Sequence, residues 1–195
     1  MTYWGIGEAL DQCRSWCRQD LRISIAVNIS ARCLHDARFL GVVRDALGAS
    51  GLKPDCIEFE ITESAIMLEP ERSRAMLQEF RSLGITQSID DFGTGFTSLS
   101  YLKDLPIDKV KIDRSFVTNM LRNDRDAILV RSTIDLAHNM GYQVIAEGVE
   151  DENTWAALEN LGCDVIQGYY VARPMTASAL EEWIGRSQWQ MVANF

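Results

Sequence analysis

Helical patterns and short β-rich runs alternate along the whole chain, and this repetition limits the fold more than any other feature. The β-rich runs fall near residues 22–28, 56–61, 86–91, 108–112, 142–147 and 163–167. Helical periodicity falls near residues 5–19, 35–49, 70–83, 124–140, 151–161 and 176–187. Repeated βα units are typical of a parallel sheet with helices packed outside it, so the pattern predicts an α/β fold.

Polar residues stand at the end of each β-rich run. They are Asn28, Glu60, Asp90, Asp91, Lys111, Glu147 and Gln167. In parallel βα folds the carboxyl ends of the strands meet at one edge of the sheet, where active sites are found. The spacing therefore predicts that these side chains converge on one polar site.

The adjacent carboxylates of Asp90 and Asp91 are followed at once by Phe92-Gly93-Thr94-Gly95. Neighbouring ionised carboxylates repel each other, so the pair indicates divalent cations beside it, with a tight turn as the alternative. Together with Asn28 and Glu60, the pair offers only oxygen donors, which suit magnesium or manganese better than zinc. Two such ions about 3.5–4 Å apart can bind a phosphodiester and activate a water, and Asp90 is placed to bridge them.

The remaining polar residues suggest supporting roles. Lys111 is suited to orienting an attacking water or offsetting negative charge, although pairing with Asp108 or Asp113 is the alternative. Glu147 can complete a metal shell or accept a proton, and Gln167 can hydrogen-bond a metal-bound water. Two further glutamates, Glu63 and Glu150, each stand three residues past a candidate ligand, and we interpret them as loop-holding groups or as surface residues.

Composition narrows the class of protein and of partner. A length of 195 residues with 47% hydrophobic content supports one domain, 1–195, and a net charge of −9 argues against DNA or RNA polymers as partners. Five cysteines without a Cys-x-x-Cys pair predict reduced thiols rather than a disulfide framework or a zinc ribbon. No apolar run reaches membrane-spanning length and no export signal is visible, so we expect a cytoplasmic domain whose parent protein can still be membrane-anchored.

Several motifs resemble those of EAL-domain cyclic di-GMP phosphodiesterases, in order and over nearly the whole chain. They are Val27-Asn28-Ile29-Ser30, Glu60-Ile61-Thr62-Glu63-Ser64, Asp90-Asp91-Phe92-Gly93-Thr94-Gly95, Val110-Lys111-Ile112-Asp113, Ala146-Glu147-Gly148-Val149-Glu150 and Gln167-Gly168-Tyr169-Tyr170 with Arg173-Pro174. The resemblance implies a TIM-like (β/α) barrel that hydrolyses cyclic di-GMP to linear pGpG with two Mg²⁺ or Mn²⁺ ions. It also implies a homodimer formed through the segment after Asp91, from Phe96 to Leu102.

The resemblance also implies roles for individual residues, matched by position. The metal ligands would be Asn28, Glu60, Asp90, Asp91 and Glu147. Lys111 matches the lysine that orients water, and Asp91 and Glu147 would act with it in catalysis. Glu63 matches the glutamate that steadies the Asp-Phe-Gly-Thr-Gly loop, with Gln167 and Glu150 as further supporting residues. Substrate contacts would come from Asp113, Phe92, Gly93, Arg173 and Pro174.

The Glu-Ala-Leu motif that names the family is expected on an early barrel strand, and that region has no counterpart here. Glu8-Ala9-Leu10 spells the same letters, but apolar residues at 6, 9, 10, 13, 16 and 17 follow a helical period. We therefore expect Glu8 on the outside of the barrel. The fold expected is an N-terminally truncated barrel with about six of eight strands, exposed at its edges.

Three functions follow as hypotheses. The leading one is a cyclic di-GMP phosphodiesterase, whose parent protein can carry upstream sensory or GGDEF-type domains. The second is a catalytically impaired module that binds cyclic di-GMP or a partner protein as a regulator. The third is a structural dimerisation element, which gives no reason for seven convergent polar residues. The segment after Trp183 is expected to be a cap or a mobile end.

Overall fold

The computed structural model of the protein describes residues 2–95 and 99–187 of the 195-residue chain. Six strands are present in this part: β1 (Ile25–Asn28), β2 (Ile57–Thr62), β3 (Thr86–Phe92), β4 (Lys109–Ile112), β5 (Gln143–Glu147) and β6 (Val165–Gln167). They form one parallel sheet in the order β1-β2-β3-β4-β5-β6. The predicted α/β fold with a parallel sheet is confirmed.

The helices lie between and around these strands. They are α1 (Thr2–Arg18), α2 (Ala31–Leu34), α3 (Phe39–Ser50), α4 (Glu63–Leu68), α5 (Pro70–Ser82), α6 (Leu99–Leu102), α7 (Arg114–Val117), α8 (Asp124–Asn139), α9 (Glu152–Asn160) and α10 (Ala177–Arg186). The six long helices match the predicted ones, except that α3 begins at Phe39 rather than near residue 35. None of the described helices is long and apolar enough to cross a membrane.

The sheet is curved so that alternate strands face each other across its inner side. Lys109 on β4 reaches Glu58 on β2, with a distance of 2.5 Å between Nζ and Oε2, and its side chain therefore crosses β3. Side chains of alternate strands meet in this way inside TIM-like barrels. In the described sheet β1 and β6 each pair with one neighbouring strand, so they are its two edges. Six parallel strands of the barrel are present, as predicted.

Strand β2 shows how the two faces of the sheet differ. Its residues Ile57, Phe59 and Ile61 are fully buried against the surrounding helices, whereas Glu58 and Glu60 point to the inner side. The Phe59 ring packs against those of Phe39 on α3 and Phe80 on α5, with centroids 6.3 and 5.0 Å away, and these two rings also contact each other at 5.9 Å. Alternation along the strand thus places apolar side chains in the core and carboxylates in the barrel interior.

Helix α1 lies outside the sheet, where it packs on α3 and β1. Its buried face carries Ile6, Leu10, Cys13 and Trp16, while Glu8 is exposed. The expectation that Glu8-Ala9-Leu10 is helical and lies away from the strand ends is therefore confirmed.

Four short helices, α2, α4, α6 and α7, were not predicted, because each is shorter than two turns and has no helical periodicity to read. Two of them start from a capping side chain: Thr62 Oγ1 accepts from the Ala65 N–H at 3.3 Å, and Asp113 Oδ1 accepts from the Ser115 N–H at 3.0 Å. These caps redirect the chain immediately after β2 and β4, so that the strand ends stay open to the mouth of the barrel.

Candidate active site

The ammonium group of Lys111 is the centre of the cluster at the carboxyl end of the sheet. Lys111 Nζ lies 2.7 Å from Glu147 Oε1, 2.8 Å from Glu60 Oε1 and 3.0 Å from Asp90 Oδ1. The residue is only 2% exposed. The structure thus brings together four of the predicted site residues, drawn from β2, β3, β4 and β5.

Strand register explains why these side chains meet. Lys111 pairs with Ile145 in the β4–β5 ladder, so that Glu147 stands two residues further along its own strand and on the same face. Glu60 pairs with Ser88, which places Asp90 two residues further along β3 in the same way. The alternative that Lys111 pairs with Asp108 or Asp113 is wrong, because Asp108 accepts from the Gln87 N–H and Asp113 caps α7.

Burial and charge shift the protonation of the cluster. Burial by itself lowers the pKa of Lys111, but hydrogen bonds to Glu147 and Glu60 outweigh it and raise that pKa above its usual value. Lys111 therefore stays protonated at neutral pH. The pKa of Glu147 is raised by burial, against the opposing effect of Lys111, and the carboxylates of Asp90 and Glu60 add to the rise.

Asp91 joins the cluster through an unusual backbone conformation. Its φ of 55° lies in the left-handed region, which is uncommon for a residue with a side chain. Oxygens of Asp90, Asp91 and Glu147 lie within 4.8 Å of one another, close enough to share one cation. Burial raises the pKa of Asp91, and the neighbouring charges of Asp90 and Asp113 raise it further.

The loop after Asp91 is held by Glu63. The buried Glu63 carboxylate accepts a hydrogen bond from the Gly93 N–H at 3.1 Å. A Cβ added at Gly95 would stand 2.5 Å from Glu63 Oε1, so the loop lies directly against this carboxylate. On the other side, a Cβ at Gly93 would stand 3.4 Å from the Phe116 ring. The loop-holding interpretation of Glu63 agrees with this geometry.

Asn28 and Gln167 end the two edge strands of the described sheet. Asn28 pairs with Glu60 in the β1–β2 ladder, and Gln167 pairs with Glu147 in the β5–β6 ladder. Both side chains are exposed at the same edge as the Lys111 cluster. Their positions are as predicted, and the role of each stays a prediction.

The other predicted residues that the structure describes make no ion pair with Lys111, although Asp113 lies near enough to Asp91 to raise the pKa of that carboxyl group. Phe92 ends β3, and the Asp113 carboxylate is engaged by the backbone and hydroxyl of Ser115. The Arg173 guanidinium lies over the Tyr169 ring, 4.5 Å from its centroid, and is exposed together with Pro174. Substrate contact by these residues stays a prediction.

Glu150 is also exposed, beyond the end of β5. With Arg122, Asn153 and Thr118 it lines a polar cavity of about 570 Å³ between the loops that precede α8 and α9. Its position agrees with the surface alternative more closely than with a loop-holding role.

A second charged layer inside the barrel was not predicted. Glu58, 7% exposed, pairs with Lys109, and fully buried Ser88 lies between them on β3. Neither Glu58 Oε1 nor Ser88 Oγ has a hydrogen-bond partner among the described residues. The sequence did contain an indication of this layer, because glutamates alternate with apolar residues in Ile57-Glu58-Phe59-Glu60. Buried glutamates on one face of a strand require polar partners on the inner side of the sheet.

The donor set fits divalent cations. Three carboxylates, those of Glu60, Asp90 and Glu147, surround the Lys111 ammonium group, and Asp91 lies beside Asp90 and Glu147. In this part of the described structure the acidic groups therefore outnumber the ammonium group by about three. Such an excess is unfavourable at low exposure unless a cation offsets it. Oxygen-only ligands of this kind suit Mg²⁺ or Mn²⁺.

Comparisons with known proteins agree with the geometry. The EAL domain family matches residues 1–174. The cyclic di-GMP phosphodiesterase NbdA of Pseudomonas aeruginosa PAO1 is 40% identical over 163 residues, which are 84% of this chain and 21% of that protein. The curated relatives matched first are covered over 24, 23 and 22% of their length, so the chain spans about a quarter of those proteins.

Solved structures show the same fold. The PaMucR phosphodiesterase in complex with c-di-GMP is 38% identical, with a TM-score of 0.86 over 91% of this chain and 72% of that one. The EAL domain of Mycobacterium smegmatis DcpA is 34% identical, with a TM-score of 0.89 over 95% of this chain and 84% of that one. The six described strands therefore correspond to the EAL type of TIM-like barrel.

Proposed function

The chain belongs to the EAL domain family, and on that basis we propose that it hydrolyses cyclic di-GMP to linear pGpG with two Mg²⁺ or Mn²⁺ ions. The observation that carries the proposal is the Lys111 cluster, in which Glu60, Asp90 and Glu147 lie within 3.0 Å of one ammonium group. The name of NbdA and the c-di-GMP complex of PaMucR support the choice of substrate.

Cation binding falls to the oxygen donors of the strand ends. The ions would be held by the carboxylates of Glu60, Asp90, Asp91 and Glu147, and Asp90 would bind both ions. Asn28, at the end of the neighbouring strand β1, would be a further ligand. When bound, the ions lower the pKa of a water molecule and offset the charge that develops on the phosphate. Asp91, with its left-handed backbone, would hold one cation together with Asp90 and Glu147, whose oxygens lie within 4.8 Å of its own.

Lys111 acts as a hydrogen-bond donor and not as a base, because its raised pKa keeps it protonated. From the centre of the cluster it would orient the attacking water and stabilise negative charge on the phosphate. Glu147 is the proposed proton acceptor, because burial raises the pKa of its carboxyl group above the usual value. Gln167, paired with Glu147 in register, would hydrogen-bond a water of the site.

Substrate contacts are proposed for the loops around the mouth. Phe92 and Gly93 border the cluster directly, and Arg173 presents an exposed guanidinium beside an aromatic ring. A guanidinium suits the guanine edge or a phosphate of the dinucleotide. Pro174 and Asp113 are proposed contacts on position alone. Glu63 and Glu150 would support the loops.

Further proposals concern the whole protein. A homodimer through the segment from Phe96 to Leu102 is proposed, with Phe96, Thr97 and Ser98 outside the described residues. Upstream sensory or GGDEF-type domains and a cytoplasmic location are proposed for the parent protein. The predicted cap or mobile end from Ile184 to Phe195 lies largely outside the described residues, which end at Ser187.

Activity is tested by incubating the protein with cyclic di-GMP and Mn²⁺ and quantifying pGpG by chromatography. The matched control is Asp90→Asn, which keeps the size of the side chain but removes its charge. Production of pGpG by the wild type but not by Asp90→Asn supports hydrolysis. Equal, background-level product from the two proteins, each shown by circular dichroism to be folded, contradicts it.

A second candidate function is binding of cyclic di-GMP without turnover. The observation that favours it is Glu8-Ala9-Leu10, which lies on helix α1 outside the barrel and cannot supply a strand-end carboxylate. Calorimetry with cyclic di-GMP in Ca²⁺, whose flexible coordination supports binding better than it activates water, separates the two functions. Binding in Ca²⁺ without pGpG in Mn²⁺ supports the binding module, and absence of binding contradicts it.

A further inference from the structure

Two cysteines from distant parts of the sequence meet where helix α1 packs against the start of β2. Cys13, 1% exposed, lies on the buried face of α1, whereas partly exposed Cys56 ends the 3₁₀ turn Pro54–Cys56. The Cys13 thiol donates a hydrogen bond to the Cys56 backbone oxygen at 3.2 Å. The Cys13 sulfur therefore lies directly beside residue Cys56, although the two residues stand 43 positions apart in the sequence.

The two thiols differ in reactivity. Hydrogen bonding with the Cys56 side chain, followed by burial, raises the pKa of Cys13 far above its usual value. The same hydrogen bond lowers the pKa of Cys56, which favours its thiolate. Because the thiolate is the nucleophile and Cys56 is also the more accessible of the two, oxidants react there first.

We propose that Cys13 and Cys56 form a reversible disulfide when the protein meets hydrogen peroxide or an organic hydroperoxide. The Cys56 thiolate attacks the peroxide oxygen, the O–O bond breaks, and the products are a sulfenic acid and water or an alcohol. The Cys13 sulfur then attacks the Cys56 sulfur, the S–O bond breaks, and a second water leaves with the Cys13 proton. The two sulfurs together supply the two electrons that reduce the peroxide.

The bond would tie α1 to the sheet. Cys13 also approaches the Ile23 backbone oxygen at 3.9 Å, so the pair stands where α1, the segment before β1 and the start of β2 come together. A disulfide across this junction closes a long loop and restricts the unfolded chain, which stabilises the fold. None of these atoms belongs to the Lys111 cluster, so the modification is separate from hydrolysis.

The other cysteines allow a clean test. Cys17 stands one turn beyond Cys13 on α1 and is exposed, which makes it the competing partner and the matched control. Trypsin cleaves after Arg14 and Arg18, so Cys13, Cys17 and Cys56 fall in separate peptides. Mass spectrometry after peroxide treatment and alkylation therefore identifies the partner of Cys56 directly.

The expected product is the tryptic peptide 1–14 linked to the peptide that contains Cys56. Its mass should be about 2 Da less than the sum of the two peptide masses, and reduction should separate the two peptides. Cys17→Ser keeps this link, whereas Cys13→Ser and Cys56→Ser abolish it. A link from Cys56 to the Cys17 peptide, or Cys56 recovered as sulfinic acid without a link, overturns the proposal.

Thermal unfolding gives a second measurement. Peroxide treatment is expected to raise Tm by roughly 5 to 10 °C in the wild type and in Cys17→Ser, and reduction should reverse the rise. The Cys13→Ser and Cys56→Ser variants should show no rise. An unchanged or lower Tm in oxidised wild type contradicts the proposal.

Discussion

The carboxylate of Glu63 accepts a hydrogen bond from the backbone N–H of Gly93 at 3.1 Å, and so joins the start of α4 to the loop that follows Asp91. Glu63 is 3% exposed, which means that the loop is anchored from within the protein. The conformation of Asp91, with its positive φ, depends on a neighbouring structure that holds it in place.

Replacing Glu63 by Gln is therefore expected to loosen this loop without unfolding the protein. The amide keeps an acceptor oxygen but loses the charge that strengthens the bond to Gly93. We expect metal affinity to fall by 10- to 100-fold, as for other losses of groups that orient ligands. Mn²⁺ titration measures the change, with exposed Glu159→Gln on α9 as the control, and equal affinities of the two variants would contradict the prediction.

Lys111→Met should destabilise the metal-free protein by about 3–5 kcal/mol, because it leaves three close carboxylates without their cation. Mg²⁺ or Mn²⁺ should restore more stability to this variant than to the wild type, and turnover should be lost. Urea unfolding with and without the metal measures the difference. A metal response equal to that of the wild type would show that the cluster does not bind the cation.

Lys109→Ala should leave Glu58 buried and unpaired, with an Oε1 that already has no partner. We expect a loss of about 3–5 kcal/mol of unfolding free energy. The double variant Glu58→Leu with Lys109→Leu removes both charges and should be much closer to the wild type. A double-mutant cycle by urea denaturation, with Glu58→Leu, Lys109→Leu and the double variant, decides the point, and additive losses would exclude a coupled pair.

Gly168→Ala should be strongly destabilising, because a Cβ there would stand 2.0 Å from the Val149 backbone oxygen. The backbone cannot move aside as a flexible side chain can. We therefore expect the free energy of unfolding to fall by about 3 kcal/mol or more. Within residues 2–95 and 99–187, no atom lies within 4 Å of a Cβ added at Gly185 in α10, and Gly185→Ala should be neutral or stabilising by about 1 kcal/mol. Comparing the two denaturation midpoints tests the close packing of the β5 and β6 loops.

Asp151 caps α9 by accepting from the Thr154 N–H at 2.9 Å, and this bond lowers the pKa of the carboxyl group. A lowered pKa means that the stabilisation is present above the pKa of the unfolded state, about 3.9, and is lost as pH falls below it. Asp151→Ala should cost about 1 kcal/mol at pH 7 and less near pH 3. Asp151→Asn keeps the cap without titrating, so a similar pH dependence in that variant would contradict the assignment.

Much of the fold could be predicted from local patterns. Each long helix was visible as a helical period and each strand as a short β-rich run, and the polar residues that end the strands were visible where those runs stop. Short helices such as α4 and α7 could not be predicted in this way. Each depends on a single capping residue, Thr62 or Asp113, and such residues are also common in open loops. Local sequence also could not distinguish Asp113 as a cap from Asp113 as a partner of Lys111.

The identity and order of the strand-end residues were determined by the sequence, because periodicity states which face and which end of an element a side chain occupies. The choice of neighbours was decided only by the tertiary structure. Register and curvature bring Lys111 against Glu60, 51 positions away in the chain, and the packing of α1 brings Cys13 against Cys56. Contacts across such separations depend on how whole elements pack together, and no local pattern encodes that arrangement.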